Sequence, residues 1–234
     1  MPACVVTGAA GDLGRALSAT FLEDGFTVYG ADLRPAPPRP GLVPVELDVT
    51  DRAAVFALAR RAQEQGGGLK LWINAAGILK AVKVMAADPG DWAQIIAVNL
   101  TGTWHGCAAA LEVMAANGGG RIVNLGSLAG QVGGVAIHPA YGASKGGVHA
   151  LTKTYALEGA RHGVYCNAVA PSVVEGSMGS QYAAPQQARL ARMNPLRRLA
   201  RVAEVVDAVR YLASERASYT TGVILSVNGG SYLP

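Results

Sequence analysis

The 234-residue chain predicts an α/β fold: a doubly wound, mainly parallel seven-stranded sheet with helices on both faces. Three observations predict it. Short β-rich apolar runs alternate with longer helical patterns. Hydrophobic residues make up 50% of the chain and charged residues 15%, which suits a sheet covered on both sides. The residues that follow the apolar runs, Gly8, Asp32, Asn74, Ser127 and Pro171, are polar or turn-forming, and the C-terminal ends of parallel strands are where such sheets bind ligand. Strands are expected near residues 3–7, 26–31, 43–47, 69–73, 121–126, 163–169 and 222–227, with helices filling most intervals. Residues 1–234 form a single domain, with no repeat, linker or low-complexity tail.

The first run, Ala3 to Thr7, meets Gly8-Ala9-Ala10-Gly11-Asp12-Leu13-Gly14 and then an Ala/Leu-rich helical pattern. Strand, glycine turn and helix start in that order make a phosphate cradle: the glycines admit a pyrophosphate close to the backbone and the helix's free amides bind its charge. The second run ends at Asp32, where a carboxylate would accept hydrogen bonds from both hydroxyls of an adenosine ribose. The same carboxylate would repel a 2′-phosphate by about 4 kcal/mol at roughly 4 Å and a dielectric of about 20, which favours NAD. Asp32 also suits the opening of the turn into Leu33-Arg34-Pro35, and Arg34 and Arg39 could compensate a phosphate. Pro35 to Gly41 carries four prolines and cannot form a helix, so an extended loop joins the second and third strands.

Tyr141-Gly142-Ala143-Ser144-Lys145 opens the long helix expected near residues 140–161. Four-residue spacing stacks the phenol and the ammonium on one face. At roughly 4 Å and a dielectric of about 20 the charge favours phenolate by about 4 kcal/mol, enough to bring the phenol toward neutrality and make it an acid/base for an alcohol or ketone. Alone, the spacing also describes many solvated helix faces; the other site elements select the catalytic reading.

The chain resembles the short-chain dehydrogenase/reductase family from its first strand to Gly230. Thr7 to Gly14 resembles the family's cofactor loop, Leu47-Asp48-Val49 its adenine-side segment, and Asn74-Ala75-Ala76-Gly77 its Asn-Asn-Ala-Gly turn with one Ala exchanged. Val98-Asn99-Leu100, Arg121 to Ser127, and the Tyr141/Lys145 pair resemble the segments that carry the catalytic asparagine, serine, tyrosine and lysine. The resemblance implies a Rossmann-type fold and hydride transfer. Tyr141 would be the general acid/base and Ser127 would hold the reacting oxygen. Lys145 would lower the phenol's pKa and bind the nicotinamide ribose, and Asn99 would anchor a water linking Lys145 to solvent. Cofactor contacts are expected at Gly8, Gly11, Asp12, Leu13, Gly14, Asp32, Leu33, Asp48, Val49, Asn74, Ala75, Ala76, Gly77, Tyr141, Lys145, Pro171, Val174 and Ser177. Individually, Ser127 also reads as a strand-end hydroxyl and Asn99 as a helix side chain bonded to backbone.

Two positions depart from the family pattern. Asp12 stands where the family usually has Gly, and is expected to cap the following helix. Gly176 stands where the family usually has a Thr that grips the nicotinamide carboxamide; the Ser177 hydroxyl and the Val174 backbone are the expected substitutes.

Other signals exclude more than they assign. No basic-plus-apolar leader and no bilayer-length apolar run are present, so a cytoplasmic protein without a membrane partner is expected. Cys4, Cys107 and Cys166 read as reduced core residues, and His105, His138, His149 and His162 lack metal-ligand spacing. His138, three residues before Tyr141, either hydrogen-bonds substrate or ends the loop before Pro139. The net charge of +4 and the Arg197-Arg198 and Arg201 group give no nucleic-acid signature. Trp72, Trp92 and Trp104 read as packing residues. Ile78, Leu79, Gln131, Val132, Val173, Met178 and Tyr182 would line a mostly apolar substrate site, implying a ketone or secondary alcohol with a hydrophobic body. Three functions compete: an NAD-dependent alcohol dehydrogenase/ketone reductase, an NADPH-dependent 3-oxoacyl thioester reductase, and a nucleotide-sensing protein without chemistry. The family resemblance also implies a homotetramer or dimer built on helices near residues 91–116 and 140–161.

Overall fold

The structure is a computed structural model that describes residues 1–176 and 184–233. Seven parallel strands form one sheet in the order β3-β2-β1-β4-β5-β6-β7. They are β1 (Ala3–Thr7), β2 (Thr27–Asp32), β3 (Leu42–Glu46), β4 (Leu69–Asn74), β5 (Gly120–Leu125), β6 (Val164–Pro171) and β7 (Ile224–Val227). Each lies within two residues of its expected place. All pairings among them are parallel, so the "mainly parallel" expectation becomes wholly parallel.

A central parallel strand is buried on both sides, and β1 shows how its residues divide. Successive side chains point to opposite faces. Ala3 and Val5 accordingly join the core beneath α2 (Arg52–Gln65) and α4 (Gly102–Ala116), while Cys4 and Val6 join the core beneath α1 (Asp12–Glu23) and α8 (Val202–Leu212). The Cys residues are free thiols and buried, as expected. Trp72 is wholly buried on the α2/α4 side, whereas Trp92 and Trp104 are only half-buried, at 45% and 43% exposure.

The connection from β2 to β3 contains no helix: the proline segment runs extended to a single bridge between Arg39 and Leu42. The helix expected across 91–116 is broken into α3 (Pro89–Ile96), a π turn (Ala97–Thr101) and α4. The remaining helices are α5 (Ala129–Val132), α6 (Pro139–Ala160) and α7 (Ala184–Met193). Among the described residues no helix is long and apolar enough to cross a membrane.

Strand order reverses between β1 and β4, whose C-terminal ends therefore open a crevice. The residues at those ends build the site.

Candidate active site

The turn after β1 depends on residues without side chains. Gly8 has φ +69, and a Cβ on it would stand 2.7 Å from the Ala76 backbone at the end of β4. A Cβ on Gly14 would stand 2.1 Å from the Gly8 carbonyl. Thr7 fastens the two strand ends together, its Oγ1 accepting from the Ala75 and Ala76 amides at 3.2 Å each. Asp32 fastens the turn to β2: Oδ2 accepts from the Ala10 amide at 3.0 Å and Oδ1 from the Arg34 amide at 3.1 Å. Gly11 is the N-cap of α1 and provides no side-chain acceptor, so the expectation that Asp12 caps this helix is corrected. Asp12 is the first helical residue, and its Oδ1 instead accepts from Arg15 Nη2 at 2.9 Å. One residue further into the helix, its side chain has passed the position from which a cap returns to the N2 and N3 amides.

Leu33 is exposed beyond Asp32, and Asp48 Oδ1 is engaged locally by the Thr50 amide and hydroxyl. Val49 is buried against α4, its carbonyl 3.0 Å from His105 Nδ1. Asn74 ends β4. Its side chain turns inward, Oδ1 accepting from Trp72 Nε1 and Nδ2 donating to Asn124 Oδ1, both at 2.8 Å. Asn124 also accepts from Cys107 Sγ at 3.4 Å and donates to Thr152 Oγ1 at 3.0 Å. This buried network, which no local motif reveals, supports the strand ends from below. Its one sequence signal is a polar residue inside the apolar run Ile122-Val123-Asn124-Leu125.

The four expected catalytic residues converge. The Ser127 hydroxyl lies beside the Tyr141 phenol, and its Oγ accepts from the Ala129 amide at 3.1 Å. Asn99 sits in the π turn, a widened turn of the kind that recurs at functional sites. Its amide accepts from Ile78 N at 2.8 Å and donates to the Ile78 carbonyl at 2.9 Å. It also donates to Ser144 Oγ at 3.3 Å. Gly77 lies between Asn99 and Lys145, since a Cβ there would stand 3.4 Å from Asn99 Oδ1 and 3.7 Å from Lys145 Nζ.

The expected electrostatics of the Tyr/Lys pair are corrected. Burial pushes the Tyr141 phenol above its ordinary value, and the Ser127 hydroxyl opposes that rise. Lys145 Nζ lies 5.9 Å from the tyrosine ring centroid and donates to the Leu125 carbonyl at 2.6 Å. Burial lowers its own pKa to about 8. Helical spacing places the two groups on one face but says nothing about desolvation, which here acts on both. Tyr141 is therefore held in its protonated form.

The lysine gives a measurable consequence. Below pH 8 Lys145 is charged in folded and unfolded chains alike, and the folded state carries the full cost of burying the charge. Between pH 8 and 10.5 the unfolded chain holds a proton that the folded chain has released, so this group's contribution to stability rises with pH. Relative to Lys145→Met, the parent chain is expected to gain about 3 kcal/mol across that window in denaturant titrations. A constant difference between the two proteins would show that Lys145 is not desolvated.

His138 ends the loop. Nδ1 accepts from the Ala140 amide at 3.2 Å and caps α6, and Nε2 donates to the Asp88 carbonyl at 3.0 Å, so both ring nitrogens are engaged. Ile78, Leu79, Val173 and Tyr141 belong to one apolar cluster with Ile95 and Ile137. Gln131 turns toward β7, 3.5 Å from Ser226 Oγ, and Val132 is 55% exposed. Ser177, Met178 and Tyr182 lie outside the described residues. Val174 is held by a parallel bridge to Ala200 in which Glu175 N and the Val173 carbonyl make the bonds. Alternation along the strand points Val174's own N–H and C=O the opposite way. Arg198 and Arg201 both pair with Glu204, accounting for the basic group ahead of α8.

Residues 8–232 match the family model described as enoyl-(acyl carrier protein) reductase. The chain belongs to the short-chain dehydrogenase/reductase family. Similar members include a 3-oxoacyl-[acyl-carrier-protein] reductase of Thermotoga maritima, 33% identical over 97% of this chain and 96% of that protein. The cis-4-hydroxycyclohexanecarboxylate dehydrogenase of Sinomonas cyclohexanicum is 38% identical over 97% and 94%. Human (3R)-3-hydroxyacyl-CoA dehydrogenase is 32% identical over 98% and 95%. Among solved structures, ligand-free aldohexose dehydrogenase of Thermoplasma acidophilum superposes with a TM-score of 0.89 at 29% identity, covering 100% of this chain and 95% of that one. This short-chain dehydrogenase/reductase is thus an oxidoreductase of alcohol and keto groups.

Proposed function

We propose that the protein interconverts a secondary alcohol and a ketone with a hydrophobic body, using NAD(H), with Tyr141 as general acid/base. The observation that carries this reading is the convergence of Ser127, Tyr141, Lys145 and Asn99 beside the Gly8 turn. The cleft suits a dinucleotide: Gly8 and Gly14 allow a turn packed too closely for side chains, α1 begins without an N-cap side chain, and Asp32 closes the turn. A bound nicotinamide would supply or accept the hydride. Gly8, Gly11, Leu13 and Gly14 would hold the diphosphate, Asp32 and Leu33 the adenosine ribose, and Asp48 and Val49 the adenine side. The backbones of Ala75, Ala76, Gly77, Pro171 and Val174 would frame the nicotinamide end. With its side chain turned inward, Asn74 would serve as a support beneath them.

In the reduction direction Tyr141, protonated by burial, delivers its hydroxyl proton to the forming alkoxide. Ser127 donates a hydrogen bond to the same oxygen, stabilising charge as it develops. In the oxidation direction the phenol must first lose that proton. Lys145 and Asn99, flanking Gly77, lie on the inner side of the site, where an ammonium would favour the phenolate and a water could carry the proton outward. The apolar cluster around Ile78, Leu79 and Val173 supports the hydrophobic substrate body. Pairing of copies through α4 and α6 is consistent with 43% exposure of Trp104 and 82% of Leu157.

One observation favours the second reading, an NADPH-dependent reductase of 3-oxoacyl thioesters. A cavity of about 230 Å³ beside Ala9 is lined by Arg15, Ser18 and Arg39, two guanidinium groups near the ribose end. Asp32 separates the two readings. Asp32→Ala is expected to move the NADH to NADPH ratio of kcat/KM by about a hundredfold toward NADPH, part of the roughly 4 kcal/mol of repulsion removed. An unchanged ratio in a variant of normal thermal stability would contradict the NAD assignment.

A further inference from the structure

The two positions that break the family pattern, 164 residues apart in the chain, meet in the fold. Asp12 reaches from the start of α1 to the segment beyond β6, where its Oδ2 lies 2.6 Å from the place a Cβ on Gly176 would occupy, and its Cγ 3.3 Å. Gly176 has φ +124, a backbone region that side chains oppose. The other carboxylate oxygen pairs with Arg15, whose side chain is 62% exposed. One carboxylate thus touches both walls of the crevice, the glycine turn and the chain after Pro171.

We infer that Asp12 sets the dinucleotide affinity of this enzyme by placing a negative charge across the diphosphate end of the crevice, and that Gly176 is the residue whose missing side chain admits it. The inference rests on the dinucleotide reading above. The open amides at a helix start attract anions. A carboxylate in that first turn draws on the same positive potential and repels a second anion. Pairing with Arg15 leaves the carboxylate charged, and an exposed ion pair is screened by water. The bound dinucleotide is consequently held less tightly, and released faster, than the glycine turn alone would dictate.

The test is the dissociation constant of NADH, read by fluorescence and by titration calorimetry, for the parent chain, Asp12→Asn and Asp12→Gly. Both variants are expected to bind about tenfold more tightly at low salt. The gap should narrow at high ionic strength, where an exposed charge is screened. A second measurement uses the contact itself. Gly176→Ala should lower the melting temperature more in the parent than in Asp12→Gly, since the strain from positive φ is common to both and the collision with the carboxylate is not. Equal or weaker NADH binding by the Asp12 variants, with the parent binding normally, overturns this inference alone, as does strict additivity of the two substitutions. A parent chain that binds no dinucleotide overturns the functional reading and this inference together.

Discussion

Tyr141→Phe is expected to lower kcat/KM by about a thousandfold while leaving NADH affinity and fold unchanged. The loss would follow from the proposed chemistry: the substitution removes the oxygen whose proton the mechanism delivers to the nascent alkoxide. The fold should tolerate the change. The phenol is buried beside Ser127, and Ser127 retains the Ala129 amide as partner. The uncompensated hydroxyl costs about 1 kcal/mol, within what a cooperative domain of this size absorbs as a shift of about 3 °C. Steady-state turnover, fluorescence titration with NADH and a thermal melt make the comparison. A variant retaining more than a tenth of parent turnover would remove Tyr141 from the chemistry.

Asn124→Leu is expected to produce the largest stability loss, about 4 kcal/mol, or a melting temperature lower by about 10 °C. Leucine has the branching of asparagine but cannot pair with its neighbours. Asn74 Nδ2 and Thr152 Oγ1 would lose a fully buried partner, and the contacts to Cys107 and Cys166 would go as well. Stranded polar groups in a dry interior each cost about 1–3 kcal/mol. Because Asn74 ends β4 directly before the Ala75-Ala76 turn, the loss should reach the crevice, weakening NADH binding in the folded fraction. A shift under 2 °C by differential scanning calorimetry would mean that the network is dispensable.

The difference between these residues explains what a reader of the sequence could find. Asp32, Ser127, Tyr141 and Lys145 are legible because each is tied to a local pattern: the end of an apolar run, or a four-residue helical spacing. The strands are legible for the same reason, since the period-two division of β1 between two cores is written in its composition. Asn124 and Asn74 serve one another across two strands, and nothing adjacent to either reveals the partner. The same holds for Asp12. Its position before an Ala/Leu helix suggests a cap, but which residue begins the helix is decided by the Gly8 to Gly14 turn, and its contact with Gly176 is made across the crevice.

Electrostatics were the least legible property. Spacing predicts the proximity of Tyr141 and Lys145 but not their burial, and burial is the largest influence on the phenol. The direction of the phenol's shift therefore reversed. The two expectations are compatible under the proposed function: a protonated phenol would serve carbonyl reduction, and the ammonium on the same helix face would favour the phenolate in oxidation. The π turn at Asn99 is likewise hidden, because no local pattern marks it and its side-chain bonds to Ile78 are made across the fold.

The most direct test of the central claim is the change in nicotinamide absorbance when the protein is mixed with NADH or NADPH and a panel of cyclic and aliphatic ketones and 3-oxoacyl thioesters. NADH is expected to be oxidised in the presence of an apolar ketone, at a rate that exceeds the NADPH rate and vanishes in Tyr141→Phe. Binding of either dinucleotide without oxidation across the panel would contradict it, as would faster turnover with NADPH on the thioesters alone.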